Sequence, residues 1–302
     1  MKSSTWHPRD TTQDRVTYIV INTVLVLFGL AVLYPLIFVV SASFSNAIDV
    51  AAGRVLLWPV NFSLAGYKMV FSHKLIMSGY RNTLFYTTVG TVGNLVLTIM
   101  CAYPLSRREM PFRNFFMVIF AFTMFFSGGL VPTYLLMHSL GLLNTVWVMI
   151  IPGVSVWNMI LLRTSFMTVP KEMYEASVID GCSYWKYLVR ILIPLSKAVL
   201  AVIALYNIVG IWNSFFSALI FLKDRDLYPL QLVMRQILSM TQMTASDINA
   251  SNIDAESMAQ MQWIVHTIKY AMIVAASVPV LAVYPFIQKY FVKGVMIGSL
   301  KG

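Results

Sequence analysis

Few residues in this sequence stand at spacings that could carry out chemistry. The four histidines lie on separate predicted loops: His7, His73, His138 and His266. Cys101 and Cys182 belong to no CxxC or Cys/His cluster, so the sequence indicates neither a metal site nor a disulfide framework. No HExxH, GxSxG or paired-carboxylate arrangement occurs, and no GxxxxGK[ST] loop that would hold ATP phosphates. The sequence therefore predicts no enzyme, no metal and no cofactor bound by this chain itself.

One polar segment in the second half of the chain carries the densest helix signals. Pro170 suits the first turn of a helix, and Glu172 and Glu175 follow near its positive N-terminal end. That helix is predicted to reach Asp180, because the backbone freedom of Gly181 permits a sharp reversal there.

A second short helix is predicted after the reversal. Ser183 can cap its N-terminus, and the helix runs through residues 184–193 until Pro194 ends it. The charge pattern alone does not distinguish this predicted pair of helices from an ordinary amphipathic surface loop. The spacing of particular residues along residues 170–194 does distinguish it.

The rest of the chain is strongly apolar. Of 302 residues, 58% are hydrophobic and 11% are charged, whereas soluble domains carry about 25% charged residues. A bilayer tolerates that composition. The net charge of +10 does not indicate nucleic acid, because the basic residues lie in short segments beside apolar runs, as in membrane proteins.

Six apolar stretches are long enough to cross a bilayer core of about 30 Å. They are residues 16–40, 82–104, 114–136, 142–163, 198–222 and 270–288. The sequence thus predicts an all-α integral membrane protein with residues 1–15 as a cytoplasmic N-terminus and 16–302 as one transmembrane domain. Ser41-Ala42-Ser43 follows the first stretch and leaves signal-peptide cleavage as an alternative, although a signal core has only about 7–15 residues.

The distribution of Lys and Arg predicts the orientation of the chain. The segments expected on the cytoplasmic side are residues 1–15, 105–113, 163–197 and 289–302. The segments expected outside are residues 41–81, 137–141 and 223–269. The cytoplasmic set holds 14 of the 22 basic residues and the outer set 8, so both termini are predicted to face the cytoplasm.

Two outer segments are long enough to have structure of their own. Residues 41–81 contain an amphipathic stretch, 64–71, whose Tyr67 and Phe71 suit an interfacial anchor better than a binding site. Residues 223–269 form a polar loop, and loops of this length are usually functional or disordered. This loop either docks a partner protein or has no such role, and the sequence does not decide between the two.

The predicted spans contain no ionisable residue in their interiors. Proton-coupled carriers commonly place such residues at membrane depth, so this argues against a stand-alone carrier or channel, the main alternative function. Four residues within the spans are candidates for a translocation path: Asn158, Asn207, Trp212 and Asn213. Asparagines at such positions more often join helices than contact a substrate.

The spacing in the polar segment resembles the EAA loop of ABC-importer permeases. Glu175-Ala176-Ser177, three residues, Gly181, nine residues and Ile191-Leu192-Ile193-Pro194 follow the family pattern Glu-Ala-Ala, three residues, Gly, nine residues, Ile-x-Leu-Pro. Ser177 and Ile193 depart conservatively from that pattern. Asp180 matches the Asp-Gly of the sugar-importer branch.

Further motifs resemble the carbohydrate branch of the same family. Trp212-Asn213-Ser214-Phe215 is similar to the Trp-Asn-x-Phe of maltose-type permeases. The segments 127–134 and 288–294 are similar to permeases of the Lpl type and to those for complex or alginate oligosaccharides. The resemblance implies the type I importer fold in the bacterial plasma membrane and a function in oligosaccharide import.

The resemblance also implies partners and a role for the polar segment. The expected partners are a second homologous permease, two cytoplasmic ATPase subunits that bind ATP and Mg²⁺, an extracytoplasmic sugar-binding protein and membrane lipid. Residues 164–197 would be the cytoplasmic loop that couples this chain to an ATPase. The residues implied in that contact are Glu172, Glu175, Ala176, Ser177, Asp180, Gly181, Ile191, Ile193 and Pro194.

Overall fold

The computed structural model describes residues 12–151, 153–247, 263, 268–285 and 288, and every regular element in that part of the chain is helical. The described residues belong to two compact units. The first contains the chain up to Val70 and the beginning of the last helix, up to Val274. The second contains Phe71–Asp247 and the chain from Ala275 onward. The described residues exclude most of the predicted N-terminal segment 1–15, part of the loop 223–269 and all of the predicted tail 289–302.

The first unit is built on one long apolar helix. Its helices are α1 (Thr12–Ser43), α2 (Ala47–Ala51) and most of α3 (Ala65–Ser72). Apolar side chains of α1 are exposed along nearly its whole length; Phe28, for example, is 68% exposed. A helix that is apolar all round is stable only in an apolar surrounding, so lipid or other subunits must cover α1.

The chain after α1 folds into a tight, hydrogen-bonded turn. Ser41 Oγ donates to the Leu57 carbonyl at 2.6 Å, and the Val60 N–H donates to Ser45 Oγ at 3.0 Å. Ser41 and Ser45 are both buried. The small-residue stretch at 41–43 is therefore part of folded structure, and retention of the first helix stays a prediction.

The second unit is organised around α4 (Lys74–Ser106). The other helices are α5 (Arg113–Phe125), α6 (Leu130–Ser139), α7 (Trp147–Ile150), α8 (Val156–Met167), α9 (Lys171–Ile179), α10 (Tyr184–Tyr187), α11 (Ile193–Leu195), α12 (Lys197–Trp212), α13 (Phe216–Phe221) and α14 (Leu230–Asp247). Helix α15, Ile268–Pro285, contributes to both units. Helix α4 packs against α8, α12 and α14.

Small polar residues form the packing face of α4. Thr83, Thr87, Thr91, Asn94 and Thr98 are all buried, and they recur every three or four residues, so they share one side of the helix. Thr98 Oγ1 donates to Asn94 Oδ1 at 3.3 Å. Small and hydroxyl residues let helix backbones approach closely inside a membrane, where apolar contacts give little preference for another helix over lipid.

Three described helices are long and apolar enough to cross a membrane: Gln13–Ser43, Lys74–Ser106 and Ile268–Pro285. Two bent pairs of helices meet the same criterion when each pair is taken together. The described residues thus give three to five candidate spans. The count of six spans, with both termini in the cytoplasm, stays a prediction.

The expected third and fourth spans are broken in this structure. Helices α5 and α6 meet at 114°, because the chain leaves the helix at Phe126 and Gly129 adopts a φ of +84°, which only glycine takes up readily. The expected span 142–163 consists of α7 and the beginning of α8, separated by extended backbone at Ile151 and Ser155.

Candidate coupling site

We call residues 164–197 the coupling segment, and its first helix, α9, begins one residue after Pro170, which the sequence analysis placed in the first turn. Pro170 occupies the N-cap position with extended backbone (ψ 139°), and the helix begins at Lys171. Glu172 lies in the first turn, where the helix dipole stabilises a negative charge. No side chain caps this end, and the Met173 N–H donates to the Pro170 carbonyl at 3.2 Å.

The end of α9 is a Schellman motif. Asp180 is the C-cap residue, the Gly181 N–H donates to the Val178 carbonyl at 3.0 Å, and the Cys182 N–H donates to the Ser177 carbonyl at 2.9 Å. Gly181 has a φ of +69°, and no atom lies within 4 Å of where its Cβ would be. The backbone angle, and not lack of space, is therefore what requires glycine here.

The second helix of the segment begins at its predicted cap but extends further than predicted. Ser183 Oγ accepts a hydrogen bond from the Lys186 N–H at 3.4 Å. The helix then continues to Leu195, past Pro194, where the sequence analysis expected it to end. It bends by 81° into α12 after Ser196.

A π-helical turn explains how the helix passes the proline. Over Leu188–Leu192 the hydrogen bonds span five residues, and the Ile193 N–H donates to the Leu188 carbonyl. Pro194 has no N–H, and its ring would crowd the Arg190 carbonyl in a regular α-helix. The wider turn removes that conflict, so the helix is not interrupted.

One face of α9 is open to solvent and carries three of the nine predicted contact residues. Glu172, Glu175, Ala176 and Ile179 are exposed and share one side of the helix. This exposed α9 face combines two carboxylates, a small residue and an apolar side chain. Ser177 lies on the opposite side, 5% exposed, and its hydroxyl donates to the Tyr174 carbonyl. Only Ala176 of the two expected small residues is therefore available to a partner.

Glu175 already has a partner within its own helix. Its Oε1 is 2.8 Å from Lys171 Nζ, one turn earlier, and both side chains are more than half exposed. The hydrogen bond and the charge of Glu175 raise the pKa of Lys171. Because the pair is in solvent, a basic group of a partner protein can replace Lys171 at little energetic cost.

The inner side of the coupling segment is held by an arginine from another loop. The Arg107 guanidinium carbon lies 3.5 Å from the centroid of the Tyr174 ring, 5.6 Å from that of Tyr184 and 6.0 Å from that of Tyr187. Arg107 Nε also pairs with Glu109 at 3.4 Å. Burial raises the pKa values of Tyr174 and Tyr187, which favours the neutral phenol beside the cation. We call Arg107 and its three tyrosines the arginine clamp.

The arginine clamp joins the coupling segment to α4. Arg107 is the C-cap residue of α4, and Tyr103 in the last turns of that helix donates its hydroxyl to the Tyr184 carbonyl at 3.2 Å. Arg163 of α8 donates to the Leu105 carbonyl at 2.9 Å. The coupling segment is thus joined to the central helix of the unit by direct contacts as well as along the chain.

A hydrophobic core lies beneath the second helix of the segment. Its buried residues are Ala102, Leu105, Met159, Leu162, Phe166, Tyr187, Leu188, Leu192 and Ile203. Ile191 and Ile193, two of the motif positions, pack against this core from its edge. The apolar residues of the motif therefore anchor the segment to α4, α8 and α12, while the exposed α9 face stays free.

The four candidate path residues occupy different environments. Asn158, Asn207 and Trp212 are buried, and Trp212 Nε1 donates to the Ala276 carbonyl at 3.0 Å, which joins α12 to α15. Asn207 Nδ2 is buried and has no hydrogen-bond partner among the described residues. Asn213 alone of the four is exposed. The structure thus gives Trp212 a buried hydrogen bond, whereas the exposed Asn213 donates its Nδ2 to the Val209 carbonyl at 2.9 Å.

A known protein family matches about two thirds of this chain. Residues 94–297 match the family described as binding-protein-dependent transport system inner membrane component. The match includes the whole coupling segment and the arginine clamp. The chain belongs to this family.

Relatives of this inner membrane component are similar over most of their length. The protein LplC of Bacillus subtilis (strain 168) is 41% identical over 91% of both chains. The polygalacturonan/rhamnogalacturonan transport system permease protein YtcP of the same organism is 36% identical over 96% of this chain and 100% of its own. The fold is therefore that of a type I ABC importer permease.

Solved structures lead to the same fold. A chain from a bacterial ABC transporter involved in the import of the acidic polysaccharide alginate superposes with a TM-score of 0.84 and 34% identity, covering 94% of this chain and 100% of that one. A chain of the bacterial alginate ABC transporter in complex with alginate pentasaccharide-bound periplasmic protein has a TM-score of 0.58 at 16% identity, which supports the fold alone.

The arginine clamp of this permease was missed by sequence reasoning. Arg107 was counted as a basic residue of a cytoplasmic segment, and its tyrosines lie more than 60 positions further along the chain. Three tyrosines within a helical pair suggest an aromatic cluster, but no local spacing indicates which cation they surround. The contact follows only from folding.

Proposed function

We propose that this chain is a membrane-spanning subunit of an ATP-driven oligosaccharide importer and that α9 is its contact with a cytoplasmic ATPase subunit. The observation that carries the proposal is the exposed α9 face. It presents Glu172, Glu175, Ala176 and Ile179 on a short helix that a Schellman turn, a π-turn and the arginine clamp hold on the bundle.

The proposed mechanism is mechanical. A small residue lets the ATPase surface approach α9 closely, and the two carboxylates complement basic groups there. When the ATPase dimer closes around ATP and Mg²⁺, α9 moves with it. The arginine clamp and the core beneath α10 then transmit this movement to α4 and α12, which alternately open the path to each side of the membrane.

The assembly requires partners that this chain does not supply. We expect a second permease subunit, two ATPase subunits and an extracytoplasmic sugar-binding protein. The first alginate transporter structure supports an assembly of ABC type, and the second contains a periplasmic protein bound to an alginate pentasaccharide. The basic residues of the predicted cytoplasmic segments support a position in the bacterial plasma membrane with both termini inside.

An oligosaccharide is the substrate class that the relatives support. They include the polygalacturonan/rhamnogalacturonan permease and, at 25% identity over 95% of this chain, the diacetylchitobiose uptake system permease protein NgcG of Streptomyces coelicolor. Spans without ionisable residues suit a solute recognised by hydroxyl groups and ring faces.

Reconstitution tests the proposal. The complete complex in proteoliposomes should import a glycan only when the binding protein is outside and ATP is inside. Proteoliposomes that contain both permeases but no ATPase subunits are the control and should show no uptake. Gradient-driven uptake by this chain alone would instead support the stand-alone carrier.

A further inference from the structure

A break in the helix follows α12 at its end remote from the coupling segment. The helix stops at Trp212, residues 213–215 are not helical, and α13 begins at Phe216. The break lies inside the predicted span 198–222. At membrane depth, irregular backbone is tolerated where protein buries it or where it lines a water-filled cavity, and such breaks often form substrate sites in transporters.

Two residues of α14 meet the broken segment and complete a polar cluster. Gln231 Nε2 donates to Asn213 Oδ1 at 3.3 Å, and the Arg235 guanidinium carbon lies over the Phe215 ring, 4.5 Å from its centroid. Gln231 and Arg235 are four residues apart and so share one face of α14. We call Asn213, Phe215, Gln231 and Arg235 the outer polar cluster.

Contacts with α4 hold the beginning of α14 in place. Thr83 Oγ1 accepts a hydrogen bond from the Leu230 N–H at 2.8 Å, and the Tyr86 hydroxyl donates to the Leu227 carbonyl at 2.9 Å. Asn82 Nδ2 donates to the Tyr228 carbonyl at 3.1 Å. These bonds are buried or partly buried, so the outer polar cluster stands on a fixed support, as binding sites require.

Arg235 is a cation that no carboxylate of the described residues neutralises. Its side chain is exposed, and none of the carboxylates in the described part of the chain lies within 4.0 Å of it. The Phe215 ring covers one face of the guanidinium and orients it, and none of the described residues forms a recorded hydrogen bond with the N–H groups at its edge. An arginine held in this way binds a carboxylate through two parallel hydrogen bonds.

We propose that the outer polar cluster binds the carboxylate of an acidic sugar during import. Arg235 binds the carboxylate of a uronic acid residue, Phe215 orients the arginine, and the amides of Asn213 and Gln231 bind neighbouring hydroxyl groups. This inference rests on the proposed function and deepens it, because it assigns a uronic-acid-containing oligosaccharide as the substrate class.

Substitution of Arg235 in the reconstituted complex tests this assignment. The probes are short oligogalacturonates and oligomannuronates, each compared with its carboxyl-reduced, neutral form. Arg235→Gln should lower the initial rate of uptake of the acidic glycans by about tenfold, the effect of one lost charged hydrogen bond. Arg235→Lys keeps the charge, so its initial rate of uptake should lie between those of the unsubstituted complex and of Arg235→Gln. Arg225→Gln, which removes another exposed charge of the same segment, is the matched control and should transport like the unsubstituted complex.

Two further measurements separate this proposal from its competitors. Affinity for the binding protein and its stimulation of ATP hydrolysis should not change in Arg235→Gln, and any uptake of the neutral glycans should not fall. Weaker docking would overturn the proposal, because Arg235 would then contact the binding protein. Equal losses for acidic and neutral glycans, or full uptake by Arg235→Gln, would overturn it as well. Absence of ATP-dependent uptake by the unsubstituted complex would refute the proposed function and this inference with it.

Discussion

The two ends of α12 differ in the kind of surface that they present. Beside its first residue, Lys197, the coupling segment exposes carboxylates and apolar side chains on a short, firmly anchored helix. Beyond its last residue, Trp212, the outer polar cluster exposes an arginine and two amides. The first surface suits a protein partner and the second a polar, anionic ligand. One helix thus joins the proposed site of energy input to the proposed site of substrate contact.

Variants at the two ends should therefore fail in different ways. Damage to the coupling segment should reduce uptake and the stimulation of ATP hydrolysis together, or change their ratio. Damage to the outer polar cluster should reduce uptake and leave stimulation intact. The following variants test the coupling end of that contrast.

Charge reversal at Glu175 should have the largest effect. Glu175→Lys places a cation where basic groups of the ATPase are expected, so we predict that uptake and ATPase stimulation both fall by about tenfold or more. Membrane insertion should not change, because the residue is exposed. Transport and hydrolysis assays on the reconstituted complex measure both effects.

A double variant provides the control for Glu175. Lys171→Glu combined with Glu175→Lys keeps an ion pair one turn apart within α9 but reverses its direction. It should fail like the single variant if the carboxylate at 175 contacts the ATPase. Full activity of either variant would show that the Glu175 carboxylate does not contact the ATPase.

Loss of the arginine clamp should have the next largest effect. Arg107→Met removes a cation–π contact worth about 0.5–2 kcal/mol, so the number of ATP molecules hydrolysed per glycan imported should rise about twofold to thirtyfold. Arg108→Met removes the neighbouring exposed charge and should leave this ratio unchanged. Equal behaviour of the two variants would show that the clamp transmits no movement.

Substitution of Gly181 should have a moderate effect. Alanine at a φ of +69° costs about 1–2 kcal/mol, so Gly181→Ala should loosen the turn and lower ATPase stimulation severalfold. Gly181→Asn should be milder, because asparagine tolerates this conformation better. A Gly181→Ala complex that is as active and as thermally stable as the original would contradict the requirement for a residue that tolerates left-handed backbone angles at position 181.

Removal of the Ser183 cap should have the smallest effect. Ser183→Ala loses a hydrogen bond to the Lys186 N–H and should cost about 0.5–1 kcal/mol. Hydrogen exchange of the backbone amides of residues 184–187 should become faster, with transport nearly unchanged. Ser183→Asp keeps a capping oxygen and should protect those amides as serine does; if it does not, the cap is not the cause.

Local signals predicted the coupling segment in detail. The ends of α9, the glycine reversal and the serine cap each depend on residues within six positions of one another, so the sequence shows them directly. The passage of the second helix through Pro194 was not foreseen, because a π-turn leaves no simple sequence pattern. The burial of Ser177 was also missed, since its side of α9 is decided by packing against the rest of the unit.

Long-range contacts and helix breaks were beyond the sequence. The hydropathy of the expected spans 114–136 and 198–222 is continuous, yet both are interrupted in the structure at Gly129 and at Asn213–Phe215. Hydropathy reports the surroundings of a segment and not the course of its backbone. The contact of Arg235 with Phe215 depends on such a break, so no spacing along the chain could indicate it.

Photocrosslinking from α9 tests the central claim most directly. In a chain with Cys101→Ser and Cys182→Ser, a single cysteine at Ala176 or at Ser177 is labelled with a thiol-directed photocrosslinker in the assembled complex. Ala176 is exposed, whereas its neighbour Ser177 is 5% exposed and faces the chain's own interior. We predict that position 176 forms crosslinks to the ATPase subunit and that position 177 forms none. No ATPase crosslink from 176, or labelling of 176 only from outside intact cells, would contradict the account.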